Sequence, residues 1–103
     1  MKKKCTLWKK ERKGYEKTCT TKNRKYWCSI GKDIYEDGYD VNCSTRFWNN
    51  KKQRWHAKYV DRKPGKGIRG PQLNHVWSET IFGAKKIAEK FLKNPEIETK
   101  KHR

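Results

Sequence analysis

Acidic residues are scarce in this chain of 103 residues: 11 Asp and Glu stand against 28 Lys and Arg, a formal net charge of +17. Such an excess opposes compaction through self-repulsion, and far less charge suffices for solubility, so its retention points to a polyanionic partner. The excess runs through both halves, with 13 basic against 6 acidic residues in 1–50 and 15 against 5 in 51–103. A basic tail on a neutral body is thereby excluded. Apolar residues are few as well, at 32%, where globular domains carry roughly 45–50%. No run approaches the roughly 18 apolar residues of a membrane span. The basic opening MKKK leads into no apolar signal region. Position 2 is Lys rather than the Gly of a myristoylation signal, and the final KKHR is not a prenylation box. The expectation is a chain acting where it is made, in a reducing cytoplasm: beside the nucleoid, or in the host-cell cytoplasm if phage-encoded. No membrane partner and no small-molecule substrate are expected.

Catalytic signatures are missing too. The chain has no H-x-E or H-E-x-x-H motif, no phosphate-binding Gly loop before a helix, and no evident nucleophile–base pairing. A non-enzymatic protein without cofactor is the reading. The acidic island DIYEDGYD (Asp33, Glu36, Asp37, Asp40) is the one place that suggests a divalent cation. Its Asp37-Gly38 dipeptide reads better as a hairpin turn whose carboxylates pair with nearby lysines. The four cysteines, Cys5, Cys19, Cys28 and Cys43, have no C-x-x-C knuckle among them, with 13, 8 and 14 residues intervening. Two disulfides or a mixed zinc site with His56 and His75 are the alternatives. Small buried apolar residues are preferred for a reducing compartment, and no metal site is assigned.

What the chain does have is large rings: five Trp, five Tyr and three Phe. Each can remove about 150–250 Å² from water, enough for a folded body despite the charge. In KYWCSI, Tyr26, Cys28 and Ile30 share one side of a predicted strand, and in YEKTCTT so do Tyr15, Lys17 and Cys19. TRFWNN and RWHAKYV read as a hairpin with its turn over 49–53. Trp55, Ala57 and Tyr59 then line one face, and Arg54, His56 and Lys58 the other. LNHVW is a further short strand after the basic loop DRKPGKGIRGPQ. From about Ser78 to Lys93 the period changes, Ile81, Ala84, Ile87, Ala88 and Phe91 falling on one helical face. Asn94-Pro95 ends that helix. The expected class is α+β: a β-rich N-terminal extension or lobe over 1–44, a three-stranded antiparallel sheet packed on one C-terminal helix over 45–94, and a flexible basic tail over 95–103.

The pattern W-x6-W-x-A-x-Y-V from Trp48 to Val60, the Gly/Lys loop at 64–67 and WSET…AKKIAEKF from Trp77 to Phe91 resemble a known group. They are similar to the small sheet-plus-helix DNA-binding domains of the plant ethylene-response-factor type, with relatives at the N-termini of tyrosine recombinases. The resemblance covers the last half of the chain, with a longer second hairpin. It implies that Trp55, Ala57 and Tyr59 face the helix residues Ile81, Ala84, Ile87 and Phe91. Arg54, His56 and Lys58 would then face nucleic acid, with Arg46, Lys51, Lys52, Arg62, Lys66 and Arg69 at phosphates. Trp55 and Trp77 are expected in the core, whereas Trp27 and Trp48 are either core or exposed for stacking on unpaired bases. The function expected is double-stranded DNA binding, regulatory or architectural. Alternatives are an RNA- or single-strand-binding or ribosome-associated protein, and a phage-type protein whose partner is an acidic host protein.

Overall fold

Alternation of small or apolar residues with polar ones builds the longest strands and places them at the centre of a sheet. In a computed structural model, which describes residues 3–56, 58–60 and 67–102, with 58–60 and 67–69 as backbone only, the elements follow in this order. Strands β1 (Lys4–Cys5), β2 (Lys9–Glu11), β3 (Gly14–Thr20), β4 (Arg24–Lys32), β5 (Tyr39–Asn49) and β6 (Arg54–His56) come first. They are followed by β7 (Lys58–Val60), β8 (Gly67–Arg69) and β9 (Leu73–Ser78), then helices α1 (Ile81–Lys93) and α2 (Pro95–Lys101).

An antiparallel meander β3-β4-β5 forms the middle of a seven-stranded sheet, and each outer edge is shared by two short strands. Along β3 these are β1 and β2; along β5 they are β6 at residues 47–49 and β9 at 39–43. The β4–β5 register is unbroken from Arg24↔Phe47 to Lys32↔Tyr39. β7 and β8 pair with each other as a separate ribbon. The architecture is therefore α+β and mostly antiparallel, with its helices at the C-terminal end. The sheet is wider than the three strands expected, and the position 44/45 lies within β5.

Both hairpins of the meander have a local cause. Thr21 closes the β3–β4 turn, its N–H donating to the Arg24 carbonyl at 2.8 Å while its Oγ1 accepts from the Arg24 N–H at 3.1 Å. In the β4–β5 turn the Asp33 carboxylate accepts from the N–H groups of Tyr35 at 2.8 Å and Glu36 at 3.2 Å. Gly38 completes that turn at φ +130°, where a Cβ would also run into the Trp77 indole. The acidic island is thus a turn, as expected, but among the described residues its carboxylates meet backbone N–H groups and His75 rather than lysines. Among the described residues no cluster of three or more His, Cys, Asp or Glu is placed to hold a metal.

Helix α1 covers one face of the meander. Thr80 caps it by accepting from the Gly83 N–H at 3.0 Å, the role Ser/Thr fill at a helix start. Ala84, Ala88, Phe91 and Leu92 are buried against Cys19, Tyr26, Cys28, Ile30, Val41, Cys43 and Leu73, with Ile87 packed alongside. Phe91 meets Tyr26 edge to face with ring centroids 6.4 Å apart. Trp8 Nε1 and Lys17 Nζ both donate to Glu89 Oε1, at 2.9 and 2.6 Å, and so tie α1 to the β3 side. Helix α1 therefore rests on strands from the first half of the chain.

Two expectations need correction. The cysteines are not free: Cys5–Cys19 and Cys28–Cys43 form disulfides, each joining directly opposed residues of neighbouring strands. Register brings their Cα atoms to 4.0 and 4.1 Å, a proximity that spacing along the chain does not display. The tail is not irregular either, because α2 begins directly after Asn94. Pro is favoured at a helix start, where its missing N–H costs nothing. Glu96 and Glu98 in the first turn and Lys100 and Lys101 in the last complement the helix dipole. Glu98 is buried, 6% exposed, with Lys101 Nζ at 3.4 Å and His102 Nε2 at 3.8 Å. Among the described residues no helix is long and apolar enough to cross a membrane.

Candidate nucleic-acid interface

The helices leave one face of the meander open, and strand parity decides which residues occupy it. Tyr26, Cys28 and Ile30 on β4, and Val41, Cys43 and Thr45 on β5, point into the core. The residues between them therefore face the other way: Lys25, Trp27 and Ser29, then Asn42, Ser44, Arg46 and Trp48. Register makes cross-strand pairs of Trp27 with Ser44, Lys25 with Arg46, and Trp48 with Trp55. Indole, cation pair and indole pair thus succeed one another along the strands. Trp27 and the Trp48 row are four positions apart, about 13 Å at the usual strand rise, with the cations between them.

The rings are held rather than loose. Trp48 and Trp55 meet edge to face with centroids 5.3 Å apart. Trp48 Nε1 donates to Asn50 Oδ1 and Trp27 Nε1 to Glu16 Oε2, both at 3.2 Å. Lys25, Trp27, Arg46 and Trp55 line a recess of about 300 Å³. Neither Lys25 nor Arg46 has a carboxylate partner among the described residues. Like charges directly opposite on neighbouring strands are destabilising, and an anion placed between them reverses the sign of that term.

This arrangement inverts the faces expected for the second hairpin. Trp55 lies on the open side with Trp48, not against α1. Arg54 and His56 pair with Asn49 and Phe47, share the helix-bearing side of the ribbon, and touch each other, Arg54 Nε donating to His56 Nε2 at 3.3 Å. The cause is that β5 is one continuous strand. With Cys43 held inward against α1 and Thr45 donating its hydroxyl to the Pro71 carbonyl at 2.7 Å, Phe47 must point inward too and Trp48 outward. Trp77 is not core: it is 44% exposed and pairs with Asp40 on the open side, its Nε1 donating to the Asp37 carbonyl at 3.1 Å.

Of the other expected contacts, Lys51 and Lys52 are exposed in the β5–β6 turn, and Arg46 is exposed at the centre of the open face. Lys58 and Arg69 are placed as backbone only, in the β7–β8 ribbon. Arg62 and Lys66 lie outside the described residues, as does Ala57, and the Tyr59 side chain is likewise not described. Lys25 escaped the sequence reading, although its alternation with Tyr26, beside Trp27 on the same side, was a usable signal. No protein-family model, no curated protein and no solved structure matches the chain.

Proposed function

We propose that this chain is a non-enzymatic nucleic-acid-binding protein that takes an unpaired strand on the open face of its sheet. The observation that carries the reading is the Lys25–Arg46 pair, two uncompensated cations side by side with indoles on both flanks, on a chain of charge +17. Single-strand binders combine these parts: cations that follow the phosphates and rings on which bases stack, each stack adding about 1–3 kcal/mol. Phosphates between Lys25 and Arg46 would leave bases on either side to meet Trp27 and the Trp48–Trp55 pair. The partner is RNA or single-stranded DNA.

Duplex DNA is the second reading. It is favoured by the β5–β6 hairpin, a two-stranded ribbon whose turn carries exposed Lys51 and Lys52 and whose flank carries exposed Arg54. Such a ribbon fits a major groove, where Arg can reach guanine. Titration of Trp fluorescence with an unpaired oligonucleotide and with a duplex of equal nucleotide content separates the two. Quenching and tighter binding by the unpaired strand are expected. Equal competition by duplex without quenching transfers the function to the hairpin, and the absence of binding by either polymer overturns both.

A further inference from the structure

Beside the aromatic–cationic recess lies a second one of about 230 Å³, where the segment over 70–74 passes β5. Trp27 and Arg46 belong to both recesses. The remaining wall of the second is uncharged: Asn42, Ser44, Gln72 and Asn74 supply polar groups, and Cys43, Thr45, Gly70 and Leu73 complete it. Asn42 is oriented by the backbone, its Oδ1 accepting from the His75 N–H at 2.9 Å. His75 reaches that position through an irregularity in the β5–β9 ladder between Val41 and Cys43, and it adopts φ +50°. The Asn42 amide nitrogen is then left as a donor with no partner among the described residues. Ser44 Oγ is buried and likewise has no hydrogen-bond partner among them. A buried hydroxyl left in that state is costly.

We infer that this second recess is a nucleobase pocket: one unpaired base enters it, lies against Trp27, and has its edge read by the amides of Asn42, Gln72 and Asn74. The inference rests on the single-strand reading above and adds base selectivity to it. Three features select the ligand class. The volume is below the roughly 300–1,000 Å³ of pockets that enclose drug-sized molecules, so one flat ring fits better than a larger metabolite. The donors and acceptors are side-chain amides, which match the mixed donor–acceptor edge of a base. Bare phosphate would instead be drawn to the cations next door. Arg46, shared by both recesses, places the phosphate of the same nucleotide at the pocket mouth.

The test uses the whole chain and four homopolymeric single-stranded oligonucleotides, together with an oligonucleotide carrying one abasic position. The wild-type chain should prefer one homopolymer by roughly tenfold, the scale of discrimination by one good amide–base pairing. The abasic position should weaken binding. The double variant Gln72→Ala/Asn74→Ala should compress the preference to within about twofold while leaving the salt dependence unchanged, because the phosphate contacts remain. Ser44→Leu, which plugs the recess and leaves the amides in place, should do the same, with circular dichroism reporting that each variant is folded. Tight binding with the homopolymer preference intact in both folded variants overturns the pocket and leaves the single-strand reading standing. Failure of every oligonucleotide to bind the wild-type chain overturns that reading and the pocket with it.

Discussion

Lys25 and Arg46 face each other across β4 and β5 on the open side, a pairing that works against the fold and in favour of an anionic ligand. Arg46→Gln should therefore weaken binding and flatten the log–log salt dependence by about 0.7, the share of one phosphate contact on a single strand. Stability should hold or rise by a few tenths of a kcal/mol as the repulsion is lifted, which denaturant unfolding measures. A stability loss with unchanged affinity would make Arg46 structural. Trp27→Ala should reduce affinity about 5- to 150-fold, the range of one stacked base, and Trp27→Phe should recover most of it. Fluorescence titration reads both. Asp33 belongs to the turn chemistry. The Tyr35 N–H, foremost among its partners, holds its carboxyl below the ordinary value of 3.8, with Glu36, Asp40 and His75 contributing in the same direction against a desolvation effect. A carboxylate with a depressed folded pKa stabilises above its ordinary range and loses that contribution as pH falls through the folded value. Protection of the Tyr35 and Glu36 amides, taken relative to intrinsic exchange at each pH, should accordingly be lost only at pH values below 3.8, and Asp33→Asn should weaken this dependence.

At the scale of elements, α1 decides the faces of the sheet. Its apolar face is readable at three- and four-residue spacing, and the Thr80 cap and the stop at Asn94-Pro95 stand where local chemistry places them. The spacing does not say which strands the helix covers. Ala84 and Ala88 are fully buried over β4 and β5, their small side chains letting α1 approach the cross-strand disulfide between those strands. Phe91→Ala should destabilise the protein by about 3–5 kcal/mol, as loss of a fully buried ring does, with thermal or denaturant unfolding as the measurement. The hairpin 47–56 was legible down to its turn, because two aromatic alternating segments flank a polar stretch. Its orientation was not. An alternating strand has two faces, and only the neighbour that covers one of them breaks the tie.

For the whole molecule, charge and disulfides act in opposite directions. A charge of +17 repels itself in the compact state, whereas each disulfide restricts the unfolded chain. The closed loops, with sequence separations of 14 and 15, correspond to about 3 kcal/mol apiece in the chain-entropy treatment. Reduction should therefore lower the denaturation midpoint markedly, and added salt or single-stranded nucleic acid should restore part of it by screening and by mass action. Unfolding that is indifferent to reductant would show that the core holds equally well with thiols. Disulfides persist in oxidising surroundings, so this measurement also bears on the reducing setting expected from the opening residues. If about six phosphates are contacted, binding to a single strand should fall with salt at a slope near −4.

The chain's own charge, the α+β class, the short strands, the turn at Asp37-Gly38 and the face of α1 all follow from residue order, because each depends on composition or on neighbours within a few positions. The pairing of four cysteines, the start of α2 as an ordered element, and the placement of half-buried Trp27, Trp48 and Trp55 on one cationic face depend on which strands lie side by side. Contacts between residues far apart in the chain settle those. A period-two pattern is symmetric between its two sides, and α1, by seating itself on Cys28 and Cys43 rather than on Trp55, determined which side is core and which side is left open.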